Sequence, residues 1–186
     1  MKNVWNNTDL IKTLKNGGIV VMPTDTIYGL VCPALNEVSV GRLYEMRKKP
    51  PYKPLIILIS EIEDLKKFSI IVSDAQRKVL DTYWPGAVSI IFDYSNDDLE
   101  YLTHSTHTIT FRFPKELELQ NLLKQTGPLI APSANLSGLP PAKTLEEAKE
   151  YFGNKVDMYI DGGEIEGKAS KIIKLAPDGT VIVIRE

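Results

Sequence analysis

Residues 18–30 read Gly-Ile-Val-Val-Met-Pro-Thr-Asp-Thr-Ile-Tyr-Gly-Leu, and this stretch decides the class of fold. Its first part, Ile19–Met22, is a short all-apolar run, which predicts a buried strand. Pro23 ends that strand because proline lacks the N–H that a sheet ladder needs. The preceding residues predict a helix that begins at Thr8 with one apolar face and ends at Gly17–Gly18. A buried strand that directly follows a helix is typical of an α/β sheet.

The same alternation of helix and strand patterns continues to the end of the chain. Helices are predicted from Asn36, from Ser73, over 116–125 and from Thr144 to Phe152. Strands are predicted at Leu55–Ile59, Ala87–Phe92, Thr108–Phe113, Leu129–Ala131, Met158–Ile160, Ile172–Leu175 and Val181–Ile184, with a polar loop between the second and the third. Because the 186 residues contain no Pro/Gly/Ser-rich linker, the sequence predicts one α/β domain over residues 1–186 with a mixed sheet.

Composition and charge exclude several classes of protein. Hydrophobic residues make up 43% and charged residues 25%, which is typical of a globular domain and not of a disordered chain, a collagen or a coiled coil. The formal net charge is −2, whereas a protein that coats nucleic acid is normally basic. The N-terminus has no signal-peptide pattern, and no apolar run approaches the roughly 20 residues of a membrane span. With the single cysteine Cys32, these features predict a cytoplasmic protein with no membrane contact.

Familiar catalytic and metal-binding motifs are missing from the sequence. The chain has no Gly-x-x-x-x-Gly-Lys-Ser/Thr phosphate loop, no Gly-x-Gly-x-x-Gly turn and no Gly-x-Ser-x-Gly elbow. His104 and His107 lie three residues apart in a polar stretch without a neighbouring cysteine or carboxylate cluster, so we expect solvated histidines and no metal site. Cys32 has no basic neighbour in sequence, which favours a small core residue over a nucleophile.

Several segments that lie at strand ends carry residues suited to an anionic ligand. Residues 47–53 read Arg-Lys-Lys-Pro-Pro-Tyr-Lys and form either an anion pocket or a solvated charged face. Thr24–Thr26 and Ser133–Asn135 follow strands and either complete turns or bind a polar ligand. Arg112 and Arg185 belong to apolar strands, where a guanidinium needs an anion from the protein or from a ligand. Since ligands of open α/β sheets bind outside strand ends, these segments could share one site.

Five motifs in this order resemble the YrdC/TsaC family of threonylcarbamoyl-AMP synthases. They are Pro-Thr-Asp/Glu-Thr-x-Tyr-Gly-Leu at Pro23–Leu30, the basic motif Lys-x-Arg-Pro-x-x-Lys/Asn-Pro-Leu at Arg47–Leu55, Trp-Pro-Gly at Trp84–Gly86, Arg-x-Pro at Arg112–Pro114 and Ser-Ala-Asn-x-Ser-Gly-x-Pro at Ser133–Pro140. Asp161-Gly-Gly163 and the final Arg185 fit as well, so the resemblance covers Gly17–Arg185. Five ordered motifs are far more specific than any one of them.

The resemblance implies a twisted, open mixed sheet with flanking helices and a concave cationic groove. It also implies a nucleotidyltransferase that forms L-threonylcarbamoyl-AMP and pyrophosphate from L-threonine, bicarbonate or CO2, and ATP, with Mg²⁺ on the triphosphate. The product would pass to the proteins that transfer the threonylcarbamoyl group to tRNA, so that tRNA is involved only indirectly. Because the reactants are anionic or become so, positioning and cationic stabilisation would carry the catalysis without a protein nucleophile.

The resemblance also assigns candidate site residues by motif position. The threonine side would comprise Thr26, Arg112, Ala131 and Ser170. The ATP side would comprise Lys49, Lys53, Thr108, Ser133, Asn135, Pro141 and Arg185. Arg47 and Lys49 would be the catalytic cations near the bicarbonate and the phosphates, and no residue is assigned to a metal.

Three positions depart from the family pattern. Arg47-Lys48-Lys49 reverses the usual Lys-x-Arg, so the guanidinium fork moves to the first position. Leu58 stands where many members have a histidine, which would remove one contact with threonine. Ser170 is followed by Lys171, where threonine is common. Because the sequence stops at Glu186, we also expect no further C-terminal domain that closes over the intermediate.

Two other functions stay open at this point. The exchanged cations suggest a paralogue with the same fold and another substrate, as in the YciO-like branch, although Ser133-Ala134-Asn135 favours the synthase. An RNA-binding module could use the same groove, although the net charge of −2 argues against high non-specific affinity.

Overall fold

The computed structural model describes residues 4–48 and 55–186. The helices in these ranges are α1 (Thr8–Lys15), α2 (Glu37–Arg47), α3 (Asp74–Tyr83), α4 (Glu100–Thr103), α5 (Leu117–Thr126) and α6 (Leu145–Phe152). The strands are β1 (Val20–Pro23), β2 (Tyr28–Pro33), β3 (Ile56–Leu58), β4 (Val88–Asp93), β5 (Thr108–Arg112), β6 (Leu129–Ile130), β7 (Met158–Tyr159), β8 (Lys171–Leu175) and β9 (Val181–Arg185). Short 3₁₀ helices lie at Ile62–Phe68 and Gly153–Lys155. Every helix and strand that the sequence predicts is present.

The strands of the described ranges form one mixed sheet in the order β7-β1-β2-β6-β3-β5-β4-β8-β9. Three neighbouring pairs are parallel, namely β1 with β7, β3 with β5 and β4 with β8. The other neighbours are antiparallel. This open mixed sheet with flanking helices confirms the predicted α/β class, and it interleaves strands from both ends of the chain.

The helix starts follow the polar residues that cap them. The side chains of Asn36, Ser73 and Thr144 accept backbone N–H groups at the starts of α2, α3 and α6, as predicted. The prediction for α1 is wrong by one residue, because Asn7 accepts two N–H groups of the first turn and Thr8 is already helical. An asparagine carbonyl reaches these donors as well as a threonine hydroxyl does, so the sequence alone did not separate the two positions.

Two elements lie in segments that the sequence predicts as turns or loops. The first is β2, which returns antiparallel to β1 after a tight turn and pairs Met22 with Gly29. Gly29 and Pro33 interrupt its apolar pattern, although all six residues are buried or nearly so. The second is α4, which interrupts the polar segment between β4 and β5. Tertiary contacts therefore stabilise β2 where the local pattern is weak.

The apolar core lies on both faces of the sheet. Successive residues of β1 enter different clusters, with Val21 in the larger one and Val20 in the smaller one, as expected from the alternation of side chains along a strand. The larger cluster contains Tyr28, Phe68, Phe92, Phe111 and Phe152, and the smaller one contains Trp5, Leu10, Met22, Leu58 and Leu119. Apolar side chains therefore cover the sheet on both faces.

The structure tests the predictions for Cys32 and His104. Cys32 is completely buried on β2, and burial raises the pKa of its thiol, which confirms a core residue. The prediction of a solvated His104 is wrong, because its ring is partly buried and packs edge-on against Tyr44 at 4.5 Å between centroids. None of the described helices has the length and apolar character of a membrane span.

Candidate active site

A cavity of about 430 Å³ lies on one face of the sheet, and residues from eight strands or their ends line it. Nine residues that the sequence predicts for the site are among them, namely Thr26, Arg47, Thr108, Arg112, Ala131, Ser133, Pro141, Ser170 and Arg185. Asn135 does not line the cavity and contacts it through Arg47 and Ser133. Lys49 and Lys53 lie outside the described residues. A cavity of this size is typical of a small-molecule site.

Strand β5 forms one wall of the cavity because alternate residues face the same side of a strand. Thr108, Thr110 and Arg112 all line it. Backbone hydrogen bonds hold the segment after β6 against its neighbours, from the Ala131 N–H to the Ile56 carbonyl and from the Leu30 N–H to the Pro132 carbonyl, both at 2.9 Å. Apolar residues from β3, β4, β8 and β9 complete the wall, namely Ile56, Ile91, Ile172 and Ile184. The cavity therefore has polar and apolar parts.

Arg112 forms a buried ion pair at the end of β5. Its Nη2 donates to Asp25 Oδ1 at 2.7 Å, and the two side chains are 3% and 1% exposed. Burial raises the pKa of the Asp25 carboxyl, and the Arg112 charge opposes that rise. Asp25 Oδ2 and Arg112 Nε are buried without a hydrogen-bond partner in the part of the chain that the structure describes. The sequence predicted an anion for Arg112 but did not identify Asp25, which is 87 residues away.

Arg47 is buried at the end of α2, and its guanidinium organises the turn after β6. Nε donates to the Asn135 carbonyl at 3.2 Å, and Nη2 donates to Asn135 Oδ1 at 3.0 Å and to Ser133 Oγ at 3.4 Å. Ser133 Oγ in turn donates to Asn135 Oδ1 at 2.6 Å. Burial lowers the pKa of Arg47 to about 10, so the group stays charged at neutral pH.

Arg185 reaches the cavity through an irregularity in β9. The register pairs Ile172 with Arg185 but Ile173 with Val183, which leaves Ile184 as the extra residue of a bulge. Arg185 donates from Nη2 to the Ser170 carbonyl at 2.7 Å and from Nε at 3.2 Å. Burial lowers the pKa of the Arg185 guanidinium, and the positive charge of Arg112 lowers it further.

Buried hydroxyl groups lie beside these arginines. Ser170 Oγ is 2.8 Å from Ser89 Oγ, and both side chains are buried. Thr24 Oγ1 donates to the Ile27 carbonyl at 2.7 Å and lies 3.2 Å from Thr26 Oγ1. Thr26 in the β1–β2 turn and Ser170 before β8 both line the cavity.

Residues 161–170 connect β7 to β8 and lie across the β1–β2 turn. Tyr28 donates its hydroxyl to the Gly163 carbonyl at 2.9 Å and accepts the Gly162 N–H at 2.8 Å. Gly167 is pressed against the Thr26 carbonyl, since a Cβ added at Gly167 would lie 1.7 Å from that oxygen. This segment therefore has to pass over Thr26 with glycine at the point of contact.

Comparisons with known proteins agree with the motifs. A family model for the Sua5/YciO/YrdC domain, with the description "telomere recombination", matches residues 12–186. The chain belongs to the Sua5/YciO/YrdC family. It is 32% identical to the threonylcarbamoyl-AMP synthase of Pyrococcus abyssi over 87% of this chain and 48% of the relative. It is likewise 32% identical to the threonylcarbamoyl-AMP synthase of Shigella boydii, over 85% of this chain and 84% of the relative.

Solved structures of the same family have the same fold. The structure of P. abyssi Sua5 complexed with L-threonine superposes with a TM-score of 0.85 at 30% identity, over 95% of this chain and 52% of that one. The structure of Escherichia coli YciO superposes with a TM-score of 0.82 at 25% identity, over 96% and 87%. The chain therefore spans about half the length of the P. abyssi protein and most of the length of YciO.

Two of the three departures from the family pattern, Leu58 and Lys171, lie outside the cavity wall. Leu58 does not line the cavity and is completely buried in the smaller apolar cluster. Lys171 Nζ binds the Glu186 carboxylate at 3.0 Å and does not line the cavity either. Of the two exchanged cations, only Arg47 lies within the described residues, and it lines the cavity. Its guanidinium binds the Asn135 turn.

Proposed function

We propose that the chain catalyses the ATP-dependent synthesis of L-threonylcarbamoyl-AMP from L-threonine and bicarbonate or CO2, with release of pyrophosphate. One observation carries the proposal: nine of the predicted site residues, which are spread along the chain from Thr26 to Arg185, line a single cavity. The curated relatives that share these motifs are named as threonylcarbamoyl-AMP synthases, and one related structure holds L-threonine. We propose that residues 1–186 form one domain for this activity.

The charges of the cavity support anionic reactants. Arg47, Arg112 and Arg185 line it, whereas no carboxylate is among the described lining residues. Thr26, Arg112, Ala131 and Ser170 bind threonine in this proposal. Thr108, Ser133, Asn135, Pro141 and Arg185 belong to the ATP side, together with Lys49 and Lys53. A guanidinium has five N–H donors, so Arg112 can bind the threonine carboxylate while it keeps its bond to Asp25.

The reaction needs two bond-forming steps. The neutral amine of threonine attacks the carbon of CO2 and loses a proton, which gives a carbamate. A carbamate oxygen then attacks the α-phosphorus of ATP, and the bond from that phosphorus to the bridging oxygen of pyrophosphate breaks. Neither step needs a protein nucleophile, and fixed cations stabilise the charge that develops on the phosphate oxygens. Arg47 and Lys49 are the cations that we assign to this role.

Mg²⁺ enters this reaction with its nucleotide. No group of three or more His, Cys, Asp or Glu side chains that could hold a metal is found in the described ranges. In this proposal Mg²⁺ arrives bound to the triphosphate of ATP, where it would balance the phosphate charge. The labile product passes to proteins that transfer the threonylcarbamoyl group to tRNA, which places the reaction in the cytoplasm and leaves tRNA an indirect partner.

Release of pyrophosphate tests the proposal directly. Purified protein receives ATP, Mg²⁺ and bicarbonate, with L-threonine, with L-serine or with no amino acid. We expect release that depends on threonine and exceeds that with serine. Turnover of ATP with another amino acid and none with threonine would instead indicate a YciO-like paralogue. Steeply salt-dependent RNA binding without any turnover would indicate an RNA-binding module.

A further inference from the structure

The carboxylate of Asp25 has no part in the chemistry proposed above, yet it is tied to the arginine on the threonine side. Asp25 Oδ1 and Arg112 Nη2 are 2.7 Å apart, with side chains 1% and 3% exposed. An ion pair on the surface contributes little, because water replaces either partner. A pair as buried as this one determines where both groups lie, since removal of one partner leaves an uncompensated charge in the interior.

A second positive charge, that of Arg185 on β9, acts on Arg112. Arg185 lines the same cavity, and the positive charge of Arg112 adds to the effect of burial in lowering the Arg185 pKa. Two guanidinium groups that sense each other's charge repel. Asp25 supplies the negative charge that compensates Arg112, whereas Arg185 is held by the neutral carbonyl of Ser170.

The contact between Asp25 and Arg112 is also incomplete. A guanidinium and a carboxylate can form two parallel hydrogen bonds. Here the bond between Nη2 and Oδ1 is formed, while Arg112 Nε and Asp25 Oδ2 are buried without a partner among the described residues. The carboxylate thus holds one corner of the guanidinium and does not occupy its full hydrogen-bonding edge.

We infer that Asp25 is a positioning residue of the amino-acid subsite: its carboxylate holds the Arg112 guanidinium at the cavity wall, against the repulsion of Arg185, where it binds the substrate carboxylate. The inference rests on the proposed function, since threonine is taken as the ligand of Arg112. Asp25 acts through Arg112 and not on the substrate, because its side chain is buried and Asp25 does not line the cavity. Loss of its charge should therefore weaken amino-acid binding and leave nucleotide binding unchanged.

The substitution Asp25→Asn tests this inference, because it removes the charge and keeps the shape. The KM for threonine, the KM for ATP and kcat are measured by pyrophosphate release, and the Kd for threonine is measured by calorimetry. We expect the threonine KM and Kd to rise about tenfold or more, with the ATP KM and kcat within about threefold of wild type. A matched control is Asp64→Asn, which alters another buried carboxylate, one bound to Ser60 and Lys67, none of which lines the cavity. That variant should change none of the kinetic constants.

A double variant shows whether Asp25 acts through Arg112. Arg112→Gln alone should weaken threonine binding, and addition of Asp25→Asn should change it by less than about twofold further, because the effects of two residues in one contact do not add. Should Asp25→Asn fail to fold, Asp25→Glu moves the charge by one methylene and should still raise the threonine KM selectively.

Three results would overturn the inference alone in a protein whose wild type is active with threonine. They are an unchanged or lower threonine KM in folded Asp25→Asn, an equal rise in the KM values for threonine and ATP, and full additivity in the double variant. A wild-type protein that neither binds threonine nor releases pyrophosphate with it would overturn the proposed function, and the inference with it.

Discussion

The guanidinium of Arg47 ties the end of α2 to the Ser133–Asn135 turn through three hydrogen bonds, and the Ser137 N–H donates to the Arg47 carbonyl at 2.9 Å. A lysine ammonium is a point charge that does not reproduce this planar fork. We therefore expect Arg47→Lys to lower the free energy of unfolding by about 1–3 kcal/mol, because buried acceptors of the turn lose their donors. Denaturant unfolding at neutral pH measures the change.

The matched control for that substitution is Arg42→Lys on the same helix. Arg42 binds Asp157 at 3.2 Å, but both side chains are about 40% exposed, at 41% and 39%. Exposed ion pairs contribute little, so this change should stay within about 0.5 kcal/mol of wild type. Equal effects of the two substitutions would show that the bonds from Arg47 to the turn do not matter for stability.

The thiol of Cys32 is shielded from solvent in the native protein. It is completely buried, and burial raises its pKa, so the reactive thiolate is scarce at neutral pH. We expect a thiol reagent at pH 7.5 to leave Cys32 unmodified in the native protein and to label it fully after unfolding by denaturant. Labelling at a similar rate in both conditions would contradict the buried position.

Residue types could be predicted from the sequence more readily than residue partners. Arg112 and Arg185 stand in apolar strands, and from this alone an anion was expected for each. For Arg112 the partner is Asp25, while Arg185 binds a neutral backbone carbonyl. The sheet order brings these groups together across long sequence distances, and no local pattern encodes such pairs. The resemblance supplied the cavity residues, whereas only the structure revealed the buried carboxylate beside them.

At the scale of elements, the 161–170 connection depends on one glycine. A Cβ at Gly167 would lie 1.7 Å from the backbone oxygen of Thr26, which is too close for any side chain. Gly167→Ala should therefore displace the connection from the β1–β2 turn and raise the KM for threonine about tenfold, because Thr26 and Ser170 both belong to the proposed subsite. Steady-state kinetics measures the threonine KM, and the thermal midpoint shows how far displacement of the connection lowers stability.

A control for Gly167→Ala is Gly41→Ala in the middle of α2. A Cβ at Gly41 would meet nothing within 4 Å, so alanine should stabilise the helix by about 0.5–1 kcal/mol and leave the threonine KM unchanged. If Gly167→Ala also left the threonine KM unchanged, the close approach of Gly167 to Thr26 would not be needed for threonine binding.

Strand β2 shows why some elements escaped the sequence pattern. Helices with one apolar face and short apolar strands were predicted with ends within about one residue, because their periodicity is local. β2 contains Gly29 and ends at Pro33, and both residues are typical of turns. It is nevertheless a strand, because it pairs with β1 on one side and with β6 on the other. Its stability is a property of the sheet and not of its own residues.

At the scale of the whole molecule, the sheet order makes one cavity from residues distributed along nearly the whole chain. β9 comes last in sequence and lies at an edge of the sheet, with Ile182, Val183 and Ile184 about half exposed, at 53%, 48% and 56%. Two of its residues, Ile184 and Arg185, line the cavity. A ligand that binds there therefore covers part of an edge strand that is otherwise open to water.

This arrangement predicts that the nucleotide protects β9 as well as the centre of the sheet. Binding to the native state alone adds about 2.7 kcal/mol of stability when the free ligand is at 100 times its Kd. We expect MgATP to raise the thermal midpoint and to slow amide hydrogen exchange in β9, while threonine slows exchange mainly at the β1–β2 turn and the end of β5. Exchange measured by mass spectrometry on peptides from these segments separates the two ligands. Protection of β9 by threonine but not by MgATP would reverse the proposed placement of the two substrates, because Arg185 would then belong to the amino-acid side.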